Sequence, residues 1–300
     1  MLLEVENLRI AFHRDGKEIV PVRDVSFSVP EHGRVALVGE SGCGKSLTAL
    51  SLARLSPTDR ASISGTTKFN GRIAYVFQNP GDSLNPVMRI AAQIREALPR
   101  GMDRKAQDAR ILELLARTGL PDPARAAHAY PCELSGGQQQ RCMIAMALAA
   151  APDLLVADEP TTALDVTTQK QVLALIDALA AETGMAVLLI THNLGLVAGR
   201  MDEVNVMYAG RLVERGPVVE VLSHPRHPYT KGLLAAVPAL DAPRDAPLAD
   251  IPGTVPPPDA WPAGCAFWPR CGAVQDRCRR EPPPERAQGA CRCACWSVPS

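Results

Sequence analysis

Gly39-Glu-Ser-Gly-Cys-Gly-Lys-Ser46 has the form G-x-x-x-x-G-K-[ST], a loop built to wrap phosphate. Small residues let successive backbone N–H groups turn inward onto phosphate oxygens, and Gly39, Gly42 and Gly44 supply that freedom. Ser41, Cys43 and Leu47 belong to the same cradle. Lys45 brings a point charge to the β- and γ-phosphates, and the Ser46 hydroxyl is a ligand type for Mg²⁺. The flanks agree with this reading. Arg34-Val-Ala-Leu-Val38 is a short β-rich run, and Ser46 to Ala53 has a helical pattern. Strand, glycine loop and helix start place phosphate at a helix N-terminus. The expected ligand is a nucleoside triphosphate with Mg²⁺.

The bulk composition narrows the class. The chain has 300 residues, 46% of them hydrophobic, enough for one large domain or two smaller ones. The 32 basic residues are matched by 32 acidic ones. A general nucleic-acid binder shows a basic excess, so no nucleic-acid partner is expected. The longest apolar run, Met143 to Ala151, is half of the roughly 18–20 residues that span a bilayer. The start, MLLEVENLRI, has early acids and no basic leader region, so no signal peptide is read there. The chain reads as cytosolic, with any membrane role supplied by partner subunits.

Outward from the loop, the pattern is α/β. Leu2 to Ile10 and Ile19 to Val29 alternate around a turn at Asp15-Gly16, as an antiparallel β layer does. Ile73 to Phe77 is a second buried strand ending at Gln78. From Leu84 to about Ala150 the periodicity is helical, over Ile90–Leu98, Ala106–Thr118 and Gly136–Ala150. Leu154–Ala157 is a short strand, Val166–Glu182 a helix and Ala186–Ile190 a strand. Val204–Tyr208 and Arg211–Val213 suggest a closing hairpin. The alternation implies an α/β sheet with an inserted helical block. Thirteen of the 27 prolines fall after residue 237, where they break helices and interior strands. That segment is too poor in periodic apolar residues for a core of its own. It reads as a linker with a disordered tail, or as a small unit held by metal.

Three further motifs follow the loop. Asp153-Leu-Leu-Val-Ala-Asp158-Glu159 is an apolar strand ending in two acids. There Asp158 has the chemistry to hold Mg²⁺ and Glu159 to polarise an attacking water. Leu134-Ser-Gly-Gly-Gln138 opens a helix, so Ser135 and the N–H groups of Gly136 and Gly137 form another anion site. Ile190-Thr-His192 ends the next strand with an imidazole able to reach a γ-phosphate. Singly, these are a strand end, a helix cap and a structural histidine. In this order behind a phosphate loop, coincidence is hard to sustain.

LSGGQ before DLLVADEP, then TTALD and THN, resembles the ATPase subunit of an ATP-binding-cassette (ABC) transporter over residues 2 to 235. The resemblance implies a phosphate-loop NTPase core with an antiparallel β layer and an inserted helical subdomain at about 84–150. A Pro/Cys-rich extension follows over 236–300. It also implies ATP hydrolysis with Mg²⁺ on Ser46, Gln78 and Asp158, and Glu159, His192 and Gln78 as the catalytic set. Gln78 matches the Q-loop, which touches Mg²⁺ and senses the membrane subunit. Asp165 matches the D-loop and His192 the switch histidine. Phe12 matches the aromatic that stacks on adenine; a core role fits it equally. Ser135, Gly136, Gly137 and Gln138 would meet the ATP of a partner chain.

A narrower resemblance is to the peptide and nickel importer branch, on SLNP (Ser83–Pro86), ADEPTTALDVTTQ (Ala157–Gln169), HPYTKGLL (His227–Leu234) and GCAFWPRCGAVQDRC (Gly264–Cys278). It implies import of di- or oligopeptides, with nickel or another small solute as the alternative. A second ABC ATPase subunit in a heterodimer, two transmembrane permease subunits and an extracytoplasmic solute-binding protein are its implied partners. The implied location is the cytoplasmic face of a bacterial-type inner membrane, as a peripheral subunit. A soluble, non-transport ABC ATPase is the distant alternative; those carry tandem cassettes or a coiled coil, and neither is present here. Two departures stand out. The stretch from Ser46 to Gln78 is short for the family, so the peripheral β region should be trimmed. The tail carries extra cysteines and ends CRCACW.

Six of the nine cysteines crowd into the last 36 residues. In a reducing compartment such a cluster suits a metal or iron–sulfur site better than a disulfide framework. Cys265, Cys271 and Cys278 have the spacing C-x5-C-x6-C. The resembled segment has a fourth cysteine near its end, which Cys295 matches best, with Cys291 and Cys293 as competitors. Four thiolates suit a [4Fe–4S] cluster or a structural Zn²⁺. The family resemblance and the absence of a tight C-x2-C pair favour the cluster.

Overall fold

A computed structural model describes residues 1–14, 16–55, 61–162, 164–237 and 250–299. Along the chain run strands β1 (Leu3–Arg14), β2 (Lys17–Val29) and β3 (Arg34–Val38), helix α1 (Lys45–Leu52), then β4 (Ala61–Phe69) and β5 (Ile73–Val76). Five helices follow: α2 (Pro80–Ser83), α3 (Ile90–Ala97), α4 (Arg104–Arg117), α5 (Pro123–His128) and α6 (Gly136–Ala149). Next come β6 (Leu154–Asp158), α7 (Val166–Thr183), β7 (Ala186–Thr191), β8 (Glu203–Tyr208) and β9 (Arg211–Pro217). The chain closes with α8 (Val218–Ser223), α9 (Pro228–Ala235), β10 (Arg286–Gln288) and β11 (Cys291–Cys293). The expected turn at Asp15-Gly16 has its first residue outside the described set, as have residues 238–249 at the head of the tail.

The chain divides into two compact units. The first holds residues 1–30, 34–69 and 189–300. Its three-stranded antiparallel sheet has the order β2-β1-β4. Alternation along β1 puts Leu3, Val5, Leu8 and Ile10 inside, as a half-buried sheet requires. In the same unit β3 lies parallel to β8, β8 forms the predicted hairpin with β9, and β11 and β10 extend the edge beyond β9.

The second unit holds residues 31–33 and 70–188. Here β5 pairs in parallel with β6, whose other neighbour is β7. Every residue of β6 is buried, which is why it reads as a continuous apolar run rather than an alternating one. Helices α3–α6 lie between Leu84 and Ala150, where the sequence periodicity is helical, and α2 precedes them. Their caps are chemical: Asn79, Asp103, Asp122 and Ser135 each accept a backbone N–H at the start of their helices.

The extension departs from its sequence reading. The sequence reads there as a linker with a disordered tail or as a small unit held by metal, and in the structure β11 pairs with β9 at Arg292–Arg215 and Cys293–Glu214. The Trp261 indole N–H donates to the Val20 carbonyl (2.9 Å). Arg215 holds Glu285 with two bonds of 2.7 and 2.8 Å. Strands of three residues are too short to show a period, so the pattern gave no sign of them.

Candidate functional site: phosphate loop, acidic strand end and cysteine cavity

The phosphate loop runs from the end of β3 into α1. A Cβ on Gly39 would stand 2.1 Å from the Met207 carbonyl oxygen, and one on Gly44 would stand 2.8 Å from that of Pro21. Gly44 also has φ 101° and caps α1 without a side-chain bond, a backbone that glycine alone adopts cheaply. The first N–H groups of α1 have no intrahelical partners, so this close-packed cradle suits an anion. Lys45 is buried, and its ammonium donates to the Glu40 carbonyl (3.0 Å). Burial pushes the Cys43 thiol up, so it stays neutral beneath the loop. Ser41, Gly42 and Ser46 are exposed, and Leu47 is half-buried. The Gly39 N–H donates to the Thr191 carbonyl (3.4 Å), which ties the loop to the strand end that carries His192. Asn193, next along, is fixed by Thr191 Oγ1 and in turn caps Gly195. Phe12 lies half-buried on β1, opposite Ile19 and Ala61.

Sequence reasoning missed the loop's anchor. Arg270 lies between Cys265 and Cys271, and it grips Glu40 through Nη1–Oε2 (2.7 Å) and Nη2–Oε1 (2.9 Å). Its Nε and Nη2 also donate to the carbonyls of Pro252 and Ile251. The ion pair with Glu40 holds the guanidinium firmly protonated. The Glu40 N–H donates to the Tyr229 hydroxyl (2.8 Å). Tyr208, Tyr229 and Phe267 stack around this contact, with ring centroids 4.6–5.4 Å apart. Glu40 and Arg270 are 230 residues apart, and no local sequence signal connects them.

In the second unit, β6 ends in the two acids. Asp158 is buried and accepts the Tyr75 hydroxyl (2.7 Å). Glu159 is buried with φ 44°, a left-handed backbone for a non-glycine residue. Such strain collects at functional sites, where the surroundings hold it. Its Oε2 accepts the Thr162 hydroxyl (2.8 Å) and the Gln78 side-chain amide (3.3 Å). The structure thus brings Gln78 and Glu159 together. It adds Tyr75 and Thr162, which the motif reading did not single out although both stand within the motif segments. Buried carboxylate oxygen of this kind fits a hard cation such as Mg²⁺.

The LSGGQ segment is a closed capping box. Ser135 Oγ accepts the Gln138 N–H (3.4 Å), and Gln138 Oε1 accepts the Ser135 N–H (3.0 Å). Gln139 donates back to the carbonyls of Pro131 and Leu134. A Cβ on Gly137 would meet the Thr168 methyl at 2.9 Å, whereas Gly136 has room. Asp165 caps α7, accepting from the Thr168 hydroxyl (2.6 Å) and from the Thr167 and Thr168 N–H groups. These bonds, that of the Thr168 side chain first, hold its carboxyl below the ordinary value.

In the extension, Cys265, Cys271, Cys278 and Cys295 line one small cavity with His227 and Phe267. Burial pushes the Cys265 thiol up to about 11 and raises that of Cys271, and the neighbouring cysteines add to both shifts. Burial also raises the Cys291 and Cys293 thiols; Glu214 and Arg226 act on both, and Cys295 on Cys293 as well. Among the described residues, no three Cys, His, Asp or Glu side chains are already set as ligands of one ion. The donor set of the cavity, four sulfurs from four chain positions, is of the type that zinc or an iron–sulfur cluster takes.

No helix among the described residues is long and apolar enough to cross a membrane. Residues 22–162 match the family model for ABC transporters, and residues 213–278 match that for the oligopeptide/dipeptide transporter C-terminal region. A Brucella abortus protein carrying the name peptide import ATP-binding protein is 45% identical, over 94% of this chain and 90% of its own. A Brucella ovis protein of the same name is 48% identical, over 94% and 93%. Among solved structures, a dimeric ATP-binding cassette in a post-hydrolysis state bound to ADP and Pi aligns with TM-score 0.64 and 26% identity. The alignment covers 72% of this chain and 98% of that one.

Proposed function

The chain belongs to the ATP-binding subunits of ABC importers of the oligopeptide/dipeptide type, and on that footing we propose how its residues divide the work. It is an ATPase that couples hydrolysis to transport, and peptides are the solute that its relatives' names and its C-terminal family segment favour. Nickel or another small solute is the alternative. The partners we infer are transmembrane permease subunits, a second ABC ATPase chain in a heterodimer and an extracytoplasmic solute-binding protein. The chain would then be peripheral, on the cytoplasmic face of a bacterial-type inner membrane.

ATP takes its phosphates to the N–H groups of Gly39 to Ser46 and to the Lys45 ammonium, with Phe12 at the adenine. Ser46, Asp158 and Gln78 would hold Mg²⁺, which would supply charge neutralisation at the phosphates. Glu159 accepts the proton of the attacking water, and Gln78 and Thr162 orient its carboxylate. His192 contacts the γ-phosphate. Ser135, Gly136, Gly137 and Gln138 serve the ATP of a partner chain, with Asp165 at the same interface, so that binding closes the dimer and hydrolysis reopens it. Cys265, Cys271, Cys278 and Cys295 would hold a [4Fe–4S] cluster, or Zn²⁺ in its place, as a clasp for the extension.

The observation that carries the catalytic reading is Glu159, a buried carboxylate on a strained backbone at a strand end, held by Thr162 and Gln78. Glu159→Gln is expected to keep ATP binding and to lose steady-state hydrolysis by about 10²–10⁴-fold. Undiminished hydrolysis would remove Glu159 as the general base.

A further inference from the structure

A cavity of about 370 Å³ opens in the first unit, with no residue of the phosphate loop in its lining. Arg23 from β2 and Tyr208 and Arg211 at the β8–β9 turn form one side, and Phe267, Pro283 and Glu285 of the extension form the other. Two features set it apart from a packing void. Arg23 and Arg211 both line it, and each has a buried Nε with no hydrogen-bond partner. Buried N–H groups without partners are rare and costly. The two guanidiniums also repel each other.

The exposed Asp24 lines the cavity too, but it forms no ion pair with either arginine among the described residues. Glu285 lines the same cavity but is taken by Arg215 through two bonds, with Arg292 at 3.3 Å. One Nη of Arg23 is spent on the Ala209 carbonyl (2.8 Å), and its face lies 4.9 Å from the centroid of the Trp261 ring. Neither Arg23 nor Arg211 forms an ion pair within the described residues. Burial first, then the charge of Arg211, pulls Arg23 down to about 10. The protein therefore holds two partly desolvated cations side by side, open to a space large enough for a ligand.

We propose that this cavity is a second ligand site, in which Arg23 and Arg211 clamp the phosphate dianion of a small phosphorylated metabolite. A dianion cancels the repulsion between the guanidiniums and gives their Nη groups an acceptor. The planar fork of arginine matches phosphate better than any other side chain does. The volume lies within the roughly 300–1,000 Å³ typical of small-molecule sites and exceeds what a bare phosphate fills. The aromatic faces of Tyr208 and Phe267 suit the carbon body of a phosphate monoester. One wall belongs to the extension, so an occupant would brace that segment against the hairpin.

The test uses the full chain with Lys45→Ala, so that the phosphate loop does not compete. Glucose 6-phosphate, inorganic phosphate and glucose are titrated in turn, by calorimetry and by thermal melting. Saturable binding of glucose 6-phosphate is expected, tighter than that of inorganic phosphate, with none for glucose. Arg23→Gln and Arg211→Gln should each weaken it about tenfold or more, and Arg211→Lys should restore part of the loss. The unliganded melting midpoint of each variant separates a lost site from a lost fold. Binding unchanged in both glutamine variants, or no saturable binding of either phosphate, would overturn the proposal. Inorganic phosphate binding as tightly as glucose 6-phosphate would overturn the metabolite and leave only an anion clamp.

Discussion

Arg270 of the cysteine-bearing extension closes a two-pronged ion pair on Glu40, the second residue of the phosphate loop, with N–O distances of 2.7 and 2.9 Å. The Arg270 side chain is 4% exposed and that of Glu40 31%. Deleting one partner of a fully buried pair costs about 3–5 kcal/mol. The exposure of Glu40 lowers that figure, so Arg270→Gln is expected to cost about 2 kcal/mol and several degrees of melting temperature. It should also weaken MgATP binding several-fold, because Glu40 begins the turn that presents the loop. Arg270→Lys should recover part of both, since it keeps the charge and loses the fork. Thermal melts and nucleotide titrations read the two effects, and a variant unchanged in both would show the contact to be idle.

Lys45→Ala removes the loop's point charge and vacates its bond to the Glu40 carbonyl. ATP affinity should fall at least about tenfold, the worth of one lost charge-assisted bond. Fluorescent-nucleotide titration measures this, and unchanged affinity would contradict the phosphate-loop assignment.

The cysteine cavity makes a selective prediction. Chain purified without air should carry iron and acid-labile sulfide, or zinc if the clasp is Zn²⁺. Cys295→Ser should lose that metal, whereas Cys291→Ser should keep it, because Cys295 and not Cys291 lines the cavity with Cys265, Cys271 and Cys278. Metal analysis of the two variants decides the point. Metal-free native chain, or loss from Cys291→Ser alone, would count against the site.

Asp165 contributes to the acid limb of stability. Its native carboxyl is lowered by the Thr168 hydroxyl and the first N–H groups of α7. Its stabilisation is therefore present above the unfolded-state value, about 3.9, and is lost as pH falls through the lowered native one. Asp165→Ser keeps a cap acceptor but removes the titration. The variant should show a shallower loss of stability below about pH 4 in denaturant unfolding at stepped pH. An identical acid limb would rule out this contribution.

Much of this molecule is legible in its sequence for identifiable reasons. Strand β6 is buried along its whole length and so reads as an unbroken apolar run. The phosphate loop and LSGGQ are recognisable because glycine and serine there meet demands that few residues satisfy. What escaped was non-local or conformational. The left-handed backbone of Glu159 has no signature in its own residue type. The grip of Arg270 on Glu40 spans the chain, and β10 and β11 are too short to carry a period. Arg23 and Arg211 look like ordinary surface arginines until the fold places them on one cavity.

This chain spends ATP to drive peptide import. The direct measurement is uptake of a labelled dipeptide or oligopeptide into vesicles that carry the chain with transmembrane permease subunits and the proposed solute-binding protein. Uptake should require internal MgATP and the intact chain, and Glu159→Gln should stop it while leaving ATP bound. Peptide uptake that proceeds equally with Glu159→Gln, or without ATP, would contradict this coupling.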